Sequence, residues 1–203
     1  DDCTDRIWDT VSGNALLVLR GHEGPLRSAM YAPDGSTVLT ISDDRTARLW
    51  KVASQVWCGD PEHILEGHAN SISAIAFSPD GASVLTGSED GIARIWNAIS
   101  GHELVALRGH TRSVRSAVFT PDGSCVLTAS DDGTARIWDA ASGRELLVLR
   151  GHTDWLRSAV FTLDGSRVLT ASDDGTARIW DAASGERLCA LRGHEGVVRS
   201  AVF

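Results

Sequence analysis

GHTRSVRSAVFTPDGSCVLTASDDGTARIWDAASGRELLVLR, residues 109–150, is followed at once by GHTDWLRSAVFTLDGSRVLTASDDGTARIWDAASGERLCALR, residues 151–192. The two stretches agree at 33 of 42 positions, so they must adopt the same local structure. Working outward, Gly-His pairs fall at Gly21-His22, Gly67-His68, Gly109-His110, Gly151-His152 and Gly193-His194, spaced by 46, 42, 42 and 42. An Arg-Ile-Trp or Arg-Leu-Trp triplet keeps the same rhythm and ends at Trp8, Trp50, Trp96, Trp138 and Trp180. Wherever both occur, the His precedes the following Trp by 28 residues. A fixed period of this length is the mark of a repeat architecture.

Within the unit that opens at Gly109, short apolar runs alternate with turn signals. Ser113 to Phe119 reads as a strand, Thr120-Pro121-Asp122-Gly123 as a turn, and Ser124 to Ser130 as a second strand. Asp131-Asp132-Gly133 forms a tight turn with glycine available for positive φ. Thr134 to Asp139, the turn Ala141-Ser142-Gly143 and Glu145 to Leu149 complete four strands. Gly or Pro-Asp-Gly punctuates the chain about every ten residues, which leaves no window for an amphipathic helix. The expectation is an all-β propeller of four-stranded antiparallel blades.

With 203 residues, 42% hydrophobic and 23% charged, the chain can bury a sizeable core. Its net charge of -8 argues against a phosphate-backbone partner, which calls for a basic footprint. Apolar runs such as Ala15 to Leu19 are too short to span a bilayer, so no membrane role is expected. Asp1 and Asp2 open the chain without the pattern of a signal peptide, and a cytoplasmic location is expected. Cys3, Cys58, Cys125 and Cys189 share neither metal-ligand spacing nor a common phase, so free thiols are expected over disulfides.

The Gly-His and Trp-Asp signatures, their separation and the Ser-Asp-Asp-Gly turn resemble the WD-repeat family over essentially the whole chain. The resemblance implies that His, Ser, Asp and Trp of each unit form a hydrogen-bonded chain. Those sets are His22, Ser42, Asp44 and Trp50; His68, Ser88, Asp90 and Trp96; His110, Ser130, Asp132 and Trp138; and His152, Ser172, Asp174 and Trp180. Alone, one set suggests a hydrolase. Four copies at identical spacing, with no Gly-x-Ser-x-Gly elbow, indicate a structural role instead, and no catalytic residue is expected. Adjacent carboxylates such as Asp131-Asp132 diverge in a strand turn, so neither a metal nor a cofactor is expected.

Specificity must come from positions that differ between units. The resemblance places the loops after Gly-His and the turns between second and third strands on one rim, the usual peptide-binding surface. Arg27, Arg115, Arg157 and Arg199 stand early in first strands, with Ser73 in the remaining unit. Asp43, Glu89, Asp131 and Asp173 precede the Asp of each set. Either an inner basic ring faces a partner inside an acidic one, or the two rings neutralise each other. Trp155 stands where other units hold Pro25, Ser71, Ser113 and Val197, and reads as a partner anchor or as packing on the neighbouring blade. Trp57 lies in the insertion that lengthens one unit to 46 residues. Arg45 and Cys3 replace the turn glycine, Lys51 and Asn97 the Asp after Trp, and Leu163 the turn proline.

The expected division is a partial blade over 1–20, blades over 21–66, 67–108, 109–150 and 151–192, and the first strand of a further or closing blade over 193–203. Either the chain is a segment of a longer propeller, with further blades in the same parent chain, or it closes as five blades with one defective; the segment is favoured. The resemblance implies a non-catalytic scaffold that binds a protein or peptide on the rim, as the sensor region of a larger signalling protein. The alternatives are an enzyme with a site in the central channel, and nucleic-acid binding through the arginines.

Overall fold

The structure, a computed structural model, describes residues 4–52 and 60–203. Trp57, Cys3 and Cys58 lie outside the described residues. Elements follow the turn chemistry closely, because each Pro-Asp-Gly, Asp-Gly or Ser-Gly stops one strand and starts the next. The first sheet has two strands, β1 (Thr4–Trp8) and β2 (Ala15–Arg20). The second holds β3 (Leu26–Tyr31), β4 (Thr37–Ser42), β5 (Ala47–Lys51) and β6 (His63–Leu65). The third holds β7 (Ile72–Phe77), β8 (Ser83–Ser88), β9 (Ile92–Asn97) and β10 (Glu103–Arg108). The fourth is built from β11 (Val114–Phe119), β12 (Cys125–Ser130), β13 (Ala135–Asp139) and β14 (Glu145–Leu149). In the fifth stand β15 (Leu156–Phe161), β16 (Arg167–Ser172), β17 (Ala177–Asp181) and β18 (Arg187–Leu191). Every neighbouring pair is antiparallel and consecutive in sequence.

The sheets stack in chain order as propeller blades and do not close into a ring. In the second to fifth sheets the Trp-bearing face packs on the sheet before, and in the first to fourth a Leu-bearing face packs on the sheet after. Leu85, Ile95 and Leu107 of the third sheet meet Val126 and Trp138 of the fourth; Leu127, Ile137 and Leu149 of the fourth meet Val168 and Trp180 of the fifth. Central strands are therefore covered on both faces, and β12 is buried from Val126 to Ser130.

The expected first strand over 193–203 is absent: these residues carry no strand. A strand is held by a ladder, and Val198 makes one backbone bond, to the Ser172 carbonyl, while its side chain is buried. Cys125 and Cys189 are free thiols. Among the described residues no helix is long and apolar enough to cross a membrane.

Turn side chains satisfy their own backbones. The Asp after Trp accepts amide N–H bonds at the third turn, Asp139 from Ser142 and Asp181 from Ala183 and Ser184. Asn97 accepts the equivalent bonds from Ile99 and Ser100, so this replacement retains the turn. Arg45 has φ of 70°, the one non-glycine residue with positive φ among the described residues.

Candidate functional site

Strand register determines which side chains meet. In the second sheet Val38 pairs with Trp50 and Thr40 with Arg48, so Thr40 lies diagonally beside the indole on one face. Trp50 Nε1 donates to Thr40 Oγ1 at 2.8 Å, and His22 Nε2 lies 2.8 Å from the same hydroxyl. His22 Nδ1 is 2.8 Å from Asp44 Oδ2. The arrangement recurs with Thr86, Thr128 and Thr170 at 2.7 to 2.9 Å. Donors run one way along it. The indole donates to Thr, Thr donates to the unprotonated His Nε2, and His Nδ1–H donates to Asp.

The hydroxyl in this chain belongs to threonine, which corrects the expectation for Ser42, Ser88, Ser130 and Ser172. Those serines sit two residues further on, beyond reach of the indole. Ser42 Oγ donates to the Gly24 carbonyl and accepts from the Asp44 amide. Ser88, Ser130 and Ser172 donate to the carbonyls of Asn70 and Ser71, of Arg112 and of Asp154. They tie the rim loop to the second strand.

Thr, His and Asp in this order have the connectivity of a nucleophile, base and orienting acid. Yet all four threonines have no exposed surface, and each hydroxyl already takes an indole N–H. A substrate has no path to them.

Burial disfavours the charged form of Asp44, but bonds from Thr46, His22 and the Glu23 amide outweigh it and hold this carboxyl at about 2. Asp90, with His68 and two amides, is likewise held at about 2. Asp132 and Asp174 are lowered by the same balance. Burial lowers the His152 pKa against the opposing pull of Asp174, in keeping with a neutral ring.

Three of the four rim arginines pair with rim carboxylates. Arg27 Nε donates to Asp43 at 2.5 Å, Arg157 forms a forked pair with Asp173, and Arg115 a forked pair with Asp131. Arg115 also reaches back to Glu89 of the third sheet at 3.1 Å, tying adjacent sheets. Arg199 acts on Asp173 through its charge and helps to lower that carboxyl, after the Arg157 bond and against burial. Ser73 instead donates to the Gly87 and Val114 carbonyls. The Asp131-Asp132 carboxylates diverge, one to Arg115 and the other to His110.

Trp155 lies on the rim loop of the fifth sheet, 38% exposed, with the Arg157 guanidinium carbon 4.9 Å from its ring centroid. It borders a cleft of about 310 Å³ between the fourth and fifth sheets, with Arg112, Asp131 and His152 among the lining.

Four-stranded sheets stacked by buried indoles, each with the same polar chain, define a propeller-type repeat protein. The family model described as "WD domain, G-beta repeat" matches residues 13–51, 59–97, 101–139 and 143–181, and the chain belongs to this WD40 family. It is similar to the periodic tryptophan protein 2 homolog of Neurospora crassa, 40% identical over 55 residues, covering 27% of this chain and 6% of that protein. Lissencephaly-1 homolog 1 of Paramecium tetraurelia is 38% identical over 50 residues, 25% of this chain and 12% of that protein. Nuclear distribution protein PAC1 of Ajellomyces capsulatus is 39% identical over 57 residues, 28% and 12%. The matched stretches thus span a small part of these relatives.

Two features escaped the sequence reading. Thr40, Thr86, Thr128 and Thr170 recur in phase as strictly as the serines, so the period alone could not choose between them. Arg48, Arg94, Arg136 and Arg178 of the Arg-x-Trp triplets lie on the indole face, and Arg94, Arg136 and Arg178 are buried.

Proposed function

We propose that the chain is a non-catalytic protein-interaction scaffold that takes a protein or peptide on the rim formed by the Gly-His loops and second turns. Trp155 carries this reading: a large aromatic, partly exposed, beside an inter-sheet cleft and a cation. The repeated polar residues are spent internally, so rim specificity falls to what the repeat does not share. A role as the cytoplasmic sensor region of a larger signalling protein, with nuclear distribution proteins among its relatives, is part of the same proposal.

The blade boundaries 21–66, 67–108, 109–150 and 151–192, and continuation into further blades of a parent chain, are likewise proposed. Trp8 is 53% exposed where its four counterparts are at most 2%, and Leu191 is 46% exposed where Leu65, Leu107 and Leu149 are at most 1%. A compact, cooperatively unfolding monomer of these 203 residues in gel filtration would overturn continuation.

Partner capture tests the rim. Trp155→Ala, alone and with Arg157→Ala, is expected to abolish capture by the intact protein. Because Arg157 also pairs with Asp173, the single variant isolates the indole. Capture unaffected by the double change overturns the rim assignment.

A further inference from the structure

The buried arginines differ between sheets in the acid that meets them from the edge strand. In the third sheet Arg94 Nη1 meets Glu103 at 3.3 Å, and in the fourth Arg136 Nη1 meets Glu145. These glutamates stand opposite Trp96 and Trp138 on the edge strand. In the fifth sheet the order Arg144-Glu145 is transposed to Glu186-Arg187, and Arg187 stands opposite Trp180. The transposition replaces an acid with a third guanidinium on the indole face. Arg192, two residues beyond Ala190, which pairs with Arg178, joins the same face.

Glu103 and Glu145 thus complete a face of two carboxylates and two guanidiniums, with Asp90, Arg94 and Arg108 or Asp132, Arg136 and Arg150. The fifth sheet sets Asp174 alone against Arg178, Arg187 and Arg192. Arg178 is 6% exposed, its Nη2 lies 3.5 Å from Asp174, and its Nη1 is buried without a hydrogen-bond partner among the described residues. A buried guanidinium N–H left without an acceptor is unfavourable, and an incoming carboxylate relieves it. The approach is open in principle: the Glu145 side chain, already seated at the equivalent place, is 37% exposed. Arg187 and Arg192 are themselves exposed and can swing aside. Burial, together with the charges of Arg187 and Arg192 and against that of Asp174, depresses the Arg178 pKa.

We propose that Arg178, Arg187 and Arg192 form a binding site for an acidic peptide, whose Asp or Glu carboxylate takes the place on Arg178 Nη1 that Glu145 holds on Arg136. The site rests on Arg178, Arg187 and Arg192 and the rim reading on Trp155, so the two share no deciding residue and each can fail alone.

A labelled glutamate-rich peptide, its glutamine counterpart and inorganic phosphate as competitor, titrated against the intact protein at low ionic strength by fluorescence polarisation, test it. The glutamate peptide is expected to bind and the glutamine peptide not. Arg187→Glu restores the internal acid of the fourth sheet, keeps the fold, and is expected to weaken binding about tenfold or more. Trp155→Ala is expected to leave this binding unchanged. The proposal is overturned if Arg187→Glu binds as tightly as the parent, if the glutamine peptide binds equally, or if phosphate displaces the peptide at matched concentration.

Discussion

Thr128 supports two aromatic neighbours with one hydroxyl. Thr128→Val keeps the shape but leaves the Trp138 N–H and the His110 Nε2 without partners in a buried place, and a loss of about 3 kcal/mol is expected. Ser130→Ala removes bonds to the Arg112 carbonyl and Asp132 amide near the rim and is expected to cost about 1 kcal/mol. Urea unfolding of both variants checks the ranking; a larger loss for Ser130→Ala would restore the serine to the polar chain. His110, Asp132 and Trp138 were legible through the family resemblance that their spacing carries. The hydroxyl was not, because Thr128 and Ser130 share a strand face and differ only in register, a property of the partner strand. The rim arginines were legible as positions, but their pairing depended on side-chain reach.

Turns carry the differences between elements. Arg45 holds φ of 70°, where Gly91, Gly133 and Gly175 serve the same turn without a Cβ. Arg45→Gly is expected to stabilise the chain by about 1 kcal/mol, seen as a raised Tm; an unchanged or lowered Tm would show that the Arg45 side chain compensates the strain. Leu163 occupies the position of Pro33, Pro79 and Pro121 in an otherwise equal turn. Leu163→Pro is expected to add about 0.5 kcal/mol by restricting the unfolded chain. Strand identity was readable because Asp-Gly and Ser-Gly turns recur at fixed intervals. Val197 to Phe203 was the exception: its sequence matches a first strand, but strand formation needs a neighbour as well as a propensity.

Acid acts on the whole molecule through the repeated carboxylates. Asp44 and Asp90 titrate at about 2 in the fold against an ordinary value of 3.8. Their stabilisation is therefore complete above about pH 4 and is lost as the pH falls through about 2. His152 adds to the trend: its lowered pKa means that stability declines below its ordinary value of 6.5, where the unfolded chain takes up the proton more readily. Urea midpoints at about pH 7, 5 and 3 should fall in that order; a midpoint that rises toward acid would contradict the neutral, donor-ordered ring. The three junctions from the second sheet to the fifth use the same partners. Gly81, Gly123 and Gly165 lie against Pro33, Pro79 and Pro121 of the preceding turn, and Trp96, Trp138 and Trp180 enter the same leucine-lined seat. Removing residues 109–150 would bring Gly165 to Pro79 and Trp180 to Leu85, Ile95 and Leu107, the neighbours that Gly123 and Trp138 now have. In heredity, the array can gain or shed whole copies by unequal exchange without presenting any surface with an unfamiliar mate.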